Sequence, residues 1–122
     1  MLRILVVEDN PDLRETLPLL LEAPGRVIAA CADAECALQA FDAEPFEVVI
    51  TDVNLPGLSG TELAARVHAR WPETWIVLSS GGDVPRPAGS AMRVTRYLAK
   101  PFTMAALDAL MAEFEGAGAP GS

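Results

Sequence analysis

Five short apolar runs, separated by segments of mixed character, dominate the hydrophobic pattern of the chain. Each run is continuously apolar, whereas a strand with one solvated face would alternate between apolar and polar residues. Continuous runs are typical of parallel strands that helices cover on both faces. The predicted strands cover residues 2–7, 26–31, 47–51, 74–79 and 95–99.

Helix-start signals and helical periodicity occupy most of the intervals between these runs. Asn10 is a candidate cap with Pro11 at the first helical position, and Ser59 with Glu62 has the spacing of a capping box. We expect a kink at Pro18, because proline lacks the backbone N–H. The predicted helices begin near residues 11, 34, 60 and 103, and the last one ends near residue 115.

Apolar residues at helical spacing predict which helix faces enter the core. In the first helix Leu17 and Leu20 are expected on the apolar face, and in the last helix Met104 and Met111 are expected in the core. Residues 81–94 depart from this pattern, since they are rich in Pro and Gly. This interval leaves room only for a short or irregular fourth helix.

Strands that alternate with helices indicate an α/β fold with one parallel sheet and right-handed crossovers. Ligands of such sheets bind beyond the carboxyl ends of the strands. The residues that end each apolar run are therefore the first candidates for a functional site.

Composition and charge narrow the class of protein. The 122 residues suit a single domain, and the 51% hydrophobic residues occur as short runs, which argues against a membrane span. The formal net charge of −8 repels phosphate backbones, so we expect no direct nucleic-acid binding.

The beginning of the chain lacks the pattern of a signal peptide, which favours a cytoplasmic location. Cys31 and Cys36 are interpreted as buried or half-buried thiols in a reducing compartment.

Polar residues stand at the ends of four of the five predicted strands. Close carboxylates either hold a proton or bind a hard cation, and Mg²⁺, with Mn²⁺ as a substitute, suits oxygen ligands. Asp52 can then be the nucleophile for a phosphoryl group whose oxygens meet the cation, Lys100 and the Ser79 hydroxyl. Each residue alone has an ordinary structural explanation, but their joint occurrence favours a site. The set comprises Glu8 and Asp9, Asp52, Ser79 and Ser80, and Lys100.

Four segments of the chain resemble the signature segments of the receiver domain of two-component response regulators, the class that includes the chemotaxis receiver. They are LVVEDN (5–10), VVITDVNLPGLSG (48–60), IVLSSG (76–81) and YLAKPF (97–102). The resemblance implies a flavodoxin-like, doubly wound, five-stranded parallel sheet in the order 2-1-3-4-5. It also implies a receiver domain over residues 1–115. Residues 116–122, GAGAPGS, lack the apolar content to fold and are predicted to form a flexible tail.

The resemblance implies roles for the acidic residues by position. Asp52 matches the phosphoacceptor aspartate, and Glu8 with Asp9 matches the acidic pair that organises Mg²⁺. Asp9, Asp52 and the backbone carbonyl of Asn54 would be the direct metal ligands. Glu8 stands where aspartate is commoner, so its contact with the metal would run through a bound water. Asn54 and Ser80 would tune hydrolysis of the phosphorylated state.

The remaining roles fall on residues of the last two segments. Lys100 matches the lysine that contacts the phosphoryl group, and its bond to Pro101 resembles the cis peptide of the family. Ser79 resembles the switch hydroxyl that turns toward the phosphoryl group. Tyr97 resembles the aromatic residue whose rotamer follows that hydroxyl.

The implied function is that of a two-component signal transduction receiver. The domain would accept a phosphoryl group from a sensor histidine kinase or a histidine phosphotransfer protein onto Asp52, with Mg²⁺, and would switch its surface to control a partner. It would not be an enzyme with a separate substrate, since it catalyses only its own phosphorylation and dephosphorylation. The main alternative is a non-phosphorylated pseudo-receiver that acts as an interaction module.

Other readings fit the residues less well. A metal-dependent phosphohydrolase needs a carboxylate where this chain has Asn54, and a flavin carrier needs a Ser/Thr/Gly-rich loop where this chain has EDNPD. A stand-alone regulator and an excised domain of a hybrid kinase both stay open.

Overall fold

The computed structural model describes residues 2–80, 95–100 and 103–117. These residues form strands and helices in strict alternation up to the fourth strand, and the last helix follows the fifth strand. In chain order the elements are β1 (Leu2–Val7), α1 (Pro11–Leu21), β2 (Arg26–Cys31), α2 (Ala34–Ala43), β3 (Val48–Asp52), α3 (Gly60–Arg70), β4 (Trp75–Ser80), β5 (Thr95–Ala99) and α4 (Met104–Ala117).

The strands form one sheet in the order β2-β1-β3-β4-β5, and all neighbouring pairs are parallel. The predicted fold class and strand order are confirmed. Strand order reverses at β1, so the carboxyl ends of β1 and β3 flank the crevice where ligands bind in such sheets. Strands β3 and β4 begin and end one residue later than predicted, which makes Asp52 the last residue of β3 and pairs it in register with Ser79.

Side-chain caps begin the helices, and the two caps that the sequence predicts, at Asn10 and Ser59, are confirmed. Asn10 Oδ1 accepts the N–H of Asp12 at 2.9 Å, and Ser59 Oγ accepts the N–H of Glu62 at 3.2 Å. Asp33 caps α2 in the same way. Each cap satisfies backbone donors that the first helical turn leaves free, so these residues set where the helices begin.

Two apolar clusters lie on opposite faces of the sheet. Leu5 and Val7 of β1 belong to the first cluster, whereas Ile4 and Val6 belong to the second, because successive side chains of a strand point to opposite faces. Helices α2 and α3 cover the first cluster, and α1 and α4 cover the second. The helices contribute large, fully buried side chains to both clusters, among them Phe41 and Leu63 in the first and Leu21 and Phe114 in the second.

Two of the predicted core positions are wrong. Met104 is 45% exposed, because it is the first residue of α4, whereas Met111 two turns later is buried. Leu20 is 37% exposed, while Leu17 and Leu21 are buried. At about 100° per residue, Leu20 lies on the far side of Leu17 from Leu21, outside the stripe that faces the sheet. Helix α1 continues through Pro18 to its end at Leu21.

Some predictions fall on residues that the structure does not describe. The short fourth helix predicted within 81–94 and the Lys100–Pro101 peptide bond both lie outside the described residues. Helix α4 extends to Ala117, two residues beyond the predicted end of the domain, and residues 118–122 lie outside as well. No helix in the described part of the chain is both long enough and apolar enough to cross a membrane.

Candidate functional site

Three charged side chains from separate strand ends meet at the carboxyl edge of the sheet. Lys100 Nζ lies 2.8 Å from Glu8 Oε2 and 3.3 Å from Asp52 Oδ2. The side chains of Lys100, Glu8 and Asp52 are only 18%, 3% and 11% exposed. Residues 92 positions apart in the chain thus form one largely buried ionic group.

Asp9 extends this group into a cluster of three carboxylates. One oxygen each from Glu8, Asp9 and Asp52 lies within 4.8 Å of the others. Glu8 is buried, whereas Asp9 is exposed, so the cluster opens to solvent on one side. Three carboxylates against one ammonium group leave an excess of negative charge, and this donor set fits a hard divalent cation with oxygen ligands.

Glu8 is the most constrained carboxylate of the cluster. Its Oε2 accepts a hydrogen bond from Lys100, and its Oε1 accepts the N–H of Asn10 at 3.1 Å. Burial raises the pKa of Glu8 above its ordinary value, because desolvation of the carboxylate outweighs these hydrogen bonds. Burial also acts to lower the pKa of Lys100, but the bond to Glu8 and the charges of Glu8 and Asp52 outweigh it and raise that pKa.

The backbone around Asp52 is held from both sides. The N–H of Asn54 donates to Asp52 Oδ1 at 3.2 Å, and the N–H of Val53 donates to the carbonyl of Ser79 at 2.9 Å. Gly60, the first residue of α3, packs directly against this backbone. A Cβ at Gly60 would clash with the Asp52 carbonyl oxygen and would lie 2.8 Å from its carbonyl carbon. Only glycine therefore allows α3 to begin this close to the candidate nucleophile.

Ser79 presents an unusual polar group beside Asp52. The residue is 3% exposed, and within the described part of the chain its Oγ is buried without a hydrogen-bond partner. Buried hydroxyl groups nearly always have a partner, so this one is free for a ligand atom. Ser80 is also buried, and its carbonyl accepts the N–H of Lys100 at 2.8 Å. Tyr97 is half-buried on β5, in register with Leu78.

The structure brings together most of the residues predicted for the site. Glu8, Asp9, Asp52 and Lys100 are in one group, and Ser79 adjoins Asp52 across the β3–β4 pair. Asn54 contributes a backbone hydrogen bond to Asp52, whereas Ser80 and Tyr97 lie on the neighbouring strands. Their predicted roles in catalysis, metal binding and switching stay predictions.

Sequence reasoning missed Arg14. Its Nη1 donates to the backbone carbonyl of Glu8 at 3.1 Å and to that of Asp9 at 3.3 Å, from the first turn of α1. The guanidinium group thereby holds the segment that carries both acidic residues. No spacing rule indicates this contact from the sequence, because Arg14 binds backbone carbonyls five and six residues earlier, before α1 begins.

A doubly wound parallel sheet with an acidic cluster at its switch point defines a flavodoxin-like α/β domain with a candidate metal site. The sequence model of one family, described as the response regulator receiver domain, matches residues 4–112. The chain therefore belongs to the response regulator receiver domain family, and the resemblance noted from the sequence is confirmed.

Curated relatives match over most of this chain. It is 37% identical over 122 residues to the response regulator protein FleR of Pseudomonas aeruginosa, a match that covers 98% of this chain and 26% of that protein. It is 35% identical over 108 residues to the transcriptional activator protein PfeR of the same organism, covering 88% of this chain and 35% of that protein. The chain thus spans only about a quarter to a third of these two relatives.

Solved structures agree with the fold. The receiver domain of an HD domain-containing protein from Pseudomonas fluorescens is 26% identical with a TM-score of 0.84, and the match covers 95% of each chain. The response regulator TrrA from Thermotoga maritima, solved in complex with Mg²⁺ and BeF, is 31% identical with a TM-score of 0.82. That match covers 93% of this chain and 98% of TrrA.

Proposed function

We propose that the chain accepts a phosphoryl group onto Asp52 from the phosphohistidine of a sensor histidine kinase or a histidine phosphotransfer protein. One observation carries the proposal: Asp52 Oδ2 lies 3.3 Å from Lys100 Nζ, inside a cluster of carboxylates at the carboxyl edge of the sheet. A carboxylate nucleophile beside a fixed ammonium group suits phosphoryl transfer, because the ammonium stabilises charge on the transferred group.

In the proposed reaction a carboxylate oxygen of Asp52 attacks phosphorus, the P–N bond of the donor breaks, and the imidazole leaves. Lys100 then binds one phosphoryl oxygen. The Ser79 hydroxyl, which lacks a partner among the described residues, donates to another. Water later cleaves the acyl phosphate, which releases inorganic phosphate and restores the carboxylate. The domain therefore acts on itself and turns over no separate metabolite.

The donor set fits Mg²⁺, with Mn²⁺ as a substitute. Glu8, Asp9, Asp52 and the backbone carbonyl of Asn54 would hold the ion. When bound, the ion supplies positive charge that offsets the carboxylates and the incoming phosphoryl group. Because both oxygens of Glu8 already accept hydrogen bonds, we assign Glu8 a contact through a metal-bound water.

Signalling would follow from a change in the population of two surface conformations. Ser79 would turn toward the phosphoryl group, and Tyr97 on the neighbouring strand would change rotamer with it. Asn54 and Ser80, which flank the nucleophile along the chain and across the sheet, would tune access of water to the acyl phosphate.

We further propose that the receiver domain ends with α4 at Ala117, two residues beyond the predicted span of 1–115, that the residues after it form a tail, and that the domain acts in the cytoplasm through a protein partner. The net charge of −8 supports an output without direct contact to nucleic acid or to an anionic membrane surface.

Incubation with Mg²⁺ and acetyl phosphate, followed by intact mass measurement, tests the proposal. The wild-type chain should gain one phosphoryl group, and Asp52→Ala should gain none. Asp42→Asn is a matched control, since Asp42 is an exposed aspartate on α2 and should leave the adduct unchanged. A wild-type chain without an adduct would instead favour the pseudo-receiver that acts only through protein interaction.

A further inference from the structure

Two cysteine sulfur atoms are in contact at the carboxyl end of the edge strand β2. Cys31 is the last residue of β2 and is buried, whereas Cys36 lies in the first turn of α2 and is exposed, contrary to the prediction for that residue. Their Sγ atoms lie 2.7 Å apart. Even carbon atoms, which are smaller, make their best contacts only at about 3.5–4.0 Å.

Backbone hydrogen bonds hold both cysteines in place. The carbonyl of Cys31 accepts the N–H of Glu8 at 3.0 Å, which continues the pairing of β2 with β1. The N–H of Cys36 donates to the capping carboxylate of Asp33 at 2.8 Å. The strand end and the helix cap therefore fix the backbone positions of the two cysteines. These positions bring the two sulfur atoms into contact.

We propose that Cys31 and Cys36 form a reversible intramolecular disulfide when the chain meets a hydroperoxide or a disulfide oxidant. This bond would link the end of β2 to the first turn of α2. It is independent of phosphorylation at Asp52, and it concerns residues that the proposed phosphoryl transfer does not use.

The two cysteines have different parts in this chemistry. Burial, with a smaller effect from the neighbouring Cys36, raises the pKa of Cys31 to about 12, so Cys31 stays a thiol, while Cys36 is the sulfur that solvent reaches. With hydrogen peroxide, the Cys36 sulfur attacks one peroxide oxygen, the O–O bond breaks, and Cys36 becomes a sulfenic acid while the other oxygen leaves as water. Cys31 sulfur then displaces the sulfenic hydroxyl, which leaves with the thiol proton as a second water. Peroxide is reduced by two electrons, and the two thiols are oxidised to one disulfide.

The location connects the thiol pair to the acidic cluster. The carbonyl of Cys31 accepts the N–H of Glu8, and the Glu8 side chain binds Lys100. Only one backbone hydrogen bond therefore separates the thiol pair from the ionic group. Oxidation would fix the strand end that supports Glu8, and amide exchange of the Glu8 N–H should slow in the oxidised chain.

The test treats the full chain with hydrogen peroxide, then unfolds it in urea with iodoacetamide so that the reagent also reaches buried Cys31, and then measures the intact mass. The oxidised chain should lose two hydrogen masses and should carry no alkyl group, whereas the reduced chain should carry two. Cleavage after Glu35, which lies between the cysteines, should leave two fragments joined until a reductant separates them. Cys36→Ser should fold normally, because Cys36 is exposed, and should show no loss of hydrogen mass.

Four results would overturn the proposal. The first is alkylation of both cysteines after peroxide treatment. The second is oxidation of Cys36 to a sulfinic acid while Cys31 stays free. The third is a disulfide between two chains in place of the internal one. The same oxidation in concentrated urea should be slower than in the folded chain, because unfolding removes the contact that the fold imposes, and equal rates would also contradict it.

Discussion

The Lys100–Glu8 pair at the carboxyl edge of the sheet and the Arg70–Asp42 pair between α3 and α2 have similar lengths, 2.8 and 2.6 Å. Their surroundings differ. The side chains of Lys100 and Glu8 are 18% and 3% exposed, whereas those of Arg70 and Asp42 are 60% and 52% exposed. Water screens the second pair, so the shorter contact is expected to contribute less to stability. Distance alone therefore does not rank the ion pairs of this domain.

The two regions also differ in charge balance. Arg70 and Asp42 neutralise each other. Lys100, in contrast, forms ion pairs with both Glu8 and Asp52, and the same cluster contains a third carboxylate, Asp9. A buried group with surplus negative charge costs stability unless a cation joins it. This imbalance is expected at a site that binds a ligand, and it has no benefit for folding alone.

Removal of the buried ammonium group should have the largest effect. In Lys100→Met, without divalent cations and at neutral pH, the free energy of unfolding should fall by about 2–3 kcal/mol, because Glu8 and Asp52 lose their cation. Asp42→Asn, which breaks the exposed pair, should cost less than about 1 kcal/mol. Urea denaturation measures both changes. Equal losses in the two variants would show that burial does not distinguish the pairs.

A methyl group beneath Asp52 should have the next largest effect. In Gly60→Ala the new Cβ clashes with the Asp52 backbone, so the free energy of unfolding should fall by about 1–3 kcal/mol. Labelling by acetyl phosphate should also slow, since the nucleophile is displaced. Thr61→Ala, one residue further along the same helix turn, should change stability by less than about 0.5 kcal/mol. A stable Gly60→Ala variant with normal labelling would contradict the packing argument.

Arg14 should affect the site more than the fold. Arg14→Ala removes two hydrogen bonds to the carbonyls of Glu8 and Asp9 and should cost about 1 kcal/mol in unfolding free energy. Amide exchange should speed up in the segment from Glu8 to Asp12, and Mg²⁺ affinity measured by calorimetry should fall. Arg66→Ala on the exposed face of α3 is the control and should leave both unchanged. An unchanged exchange pattern in Arg14→Ala would exclude a positioning role.

The smallest effect concerns the pair between Arg26 of β2 and Glu115 of α4, whose carboxylate is exposed, and it depends on pH. The hydrogen bond from Arg26 lowers the pKa of Glu115, opposite in direction to the shift at Glu8. A lowered folded-state pKa contributes stability above pH about 4.5, and that contribution is lost as pH falls through the folded pKa. Glu115→Gln should therefore cost a few tenths of a kcal/mol at neutral pH and nothing in strong acid. Denaturation across a pH series measures the difference in unfolding free energy between the wild-type chain and Glu115→Gln. If this difference grew as the pH fell, the assigned direction of the Glu115 pKa shift would be wrong.

Particular residues show how far the sequence predicted the fold. Continuous apolar runs such as ILVV and VVIT identified buried strands, and Asn10 and Ser59 identified helix starts, because these signals act within a few residues of the chain. Met104 was misplaced because it is the first residue of α4, and Leu20 because the exposure of a helical side chain depends on how the helix lies on the sheet. The spacing of residues does not contain that orientation.

The sequence by itself determined which chemical groups were available and the order in which they occur: an acidic pair, an aspartate before a turn, two serines, and a lysine before proline. Only the tertiary structure decided that Lys100 reaches Glu8 and Asp52, that Arg14 holds the acidic segment, that Gly60 supports Asp52, and that Cys36 meets Cys31. Local signals arise from backbone geometry over a few residues. Contacts between strand ends depend instead on parallel pairing in register, which brings distant parts of the chain to one edge of the sheet.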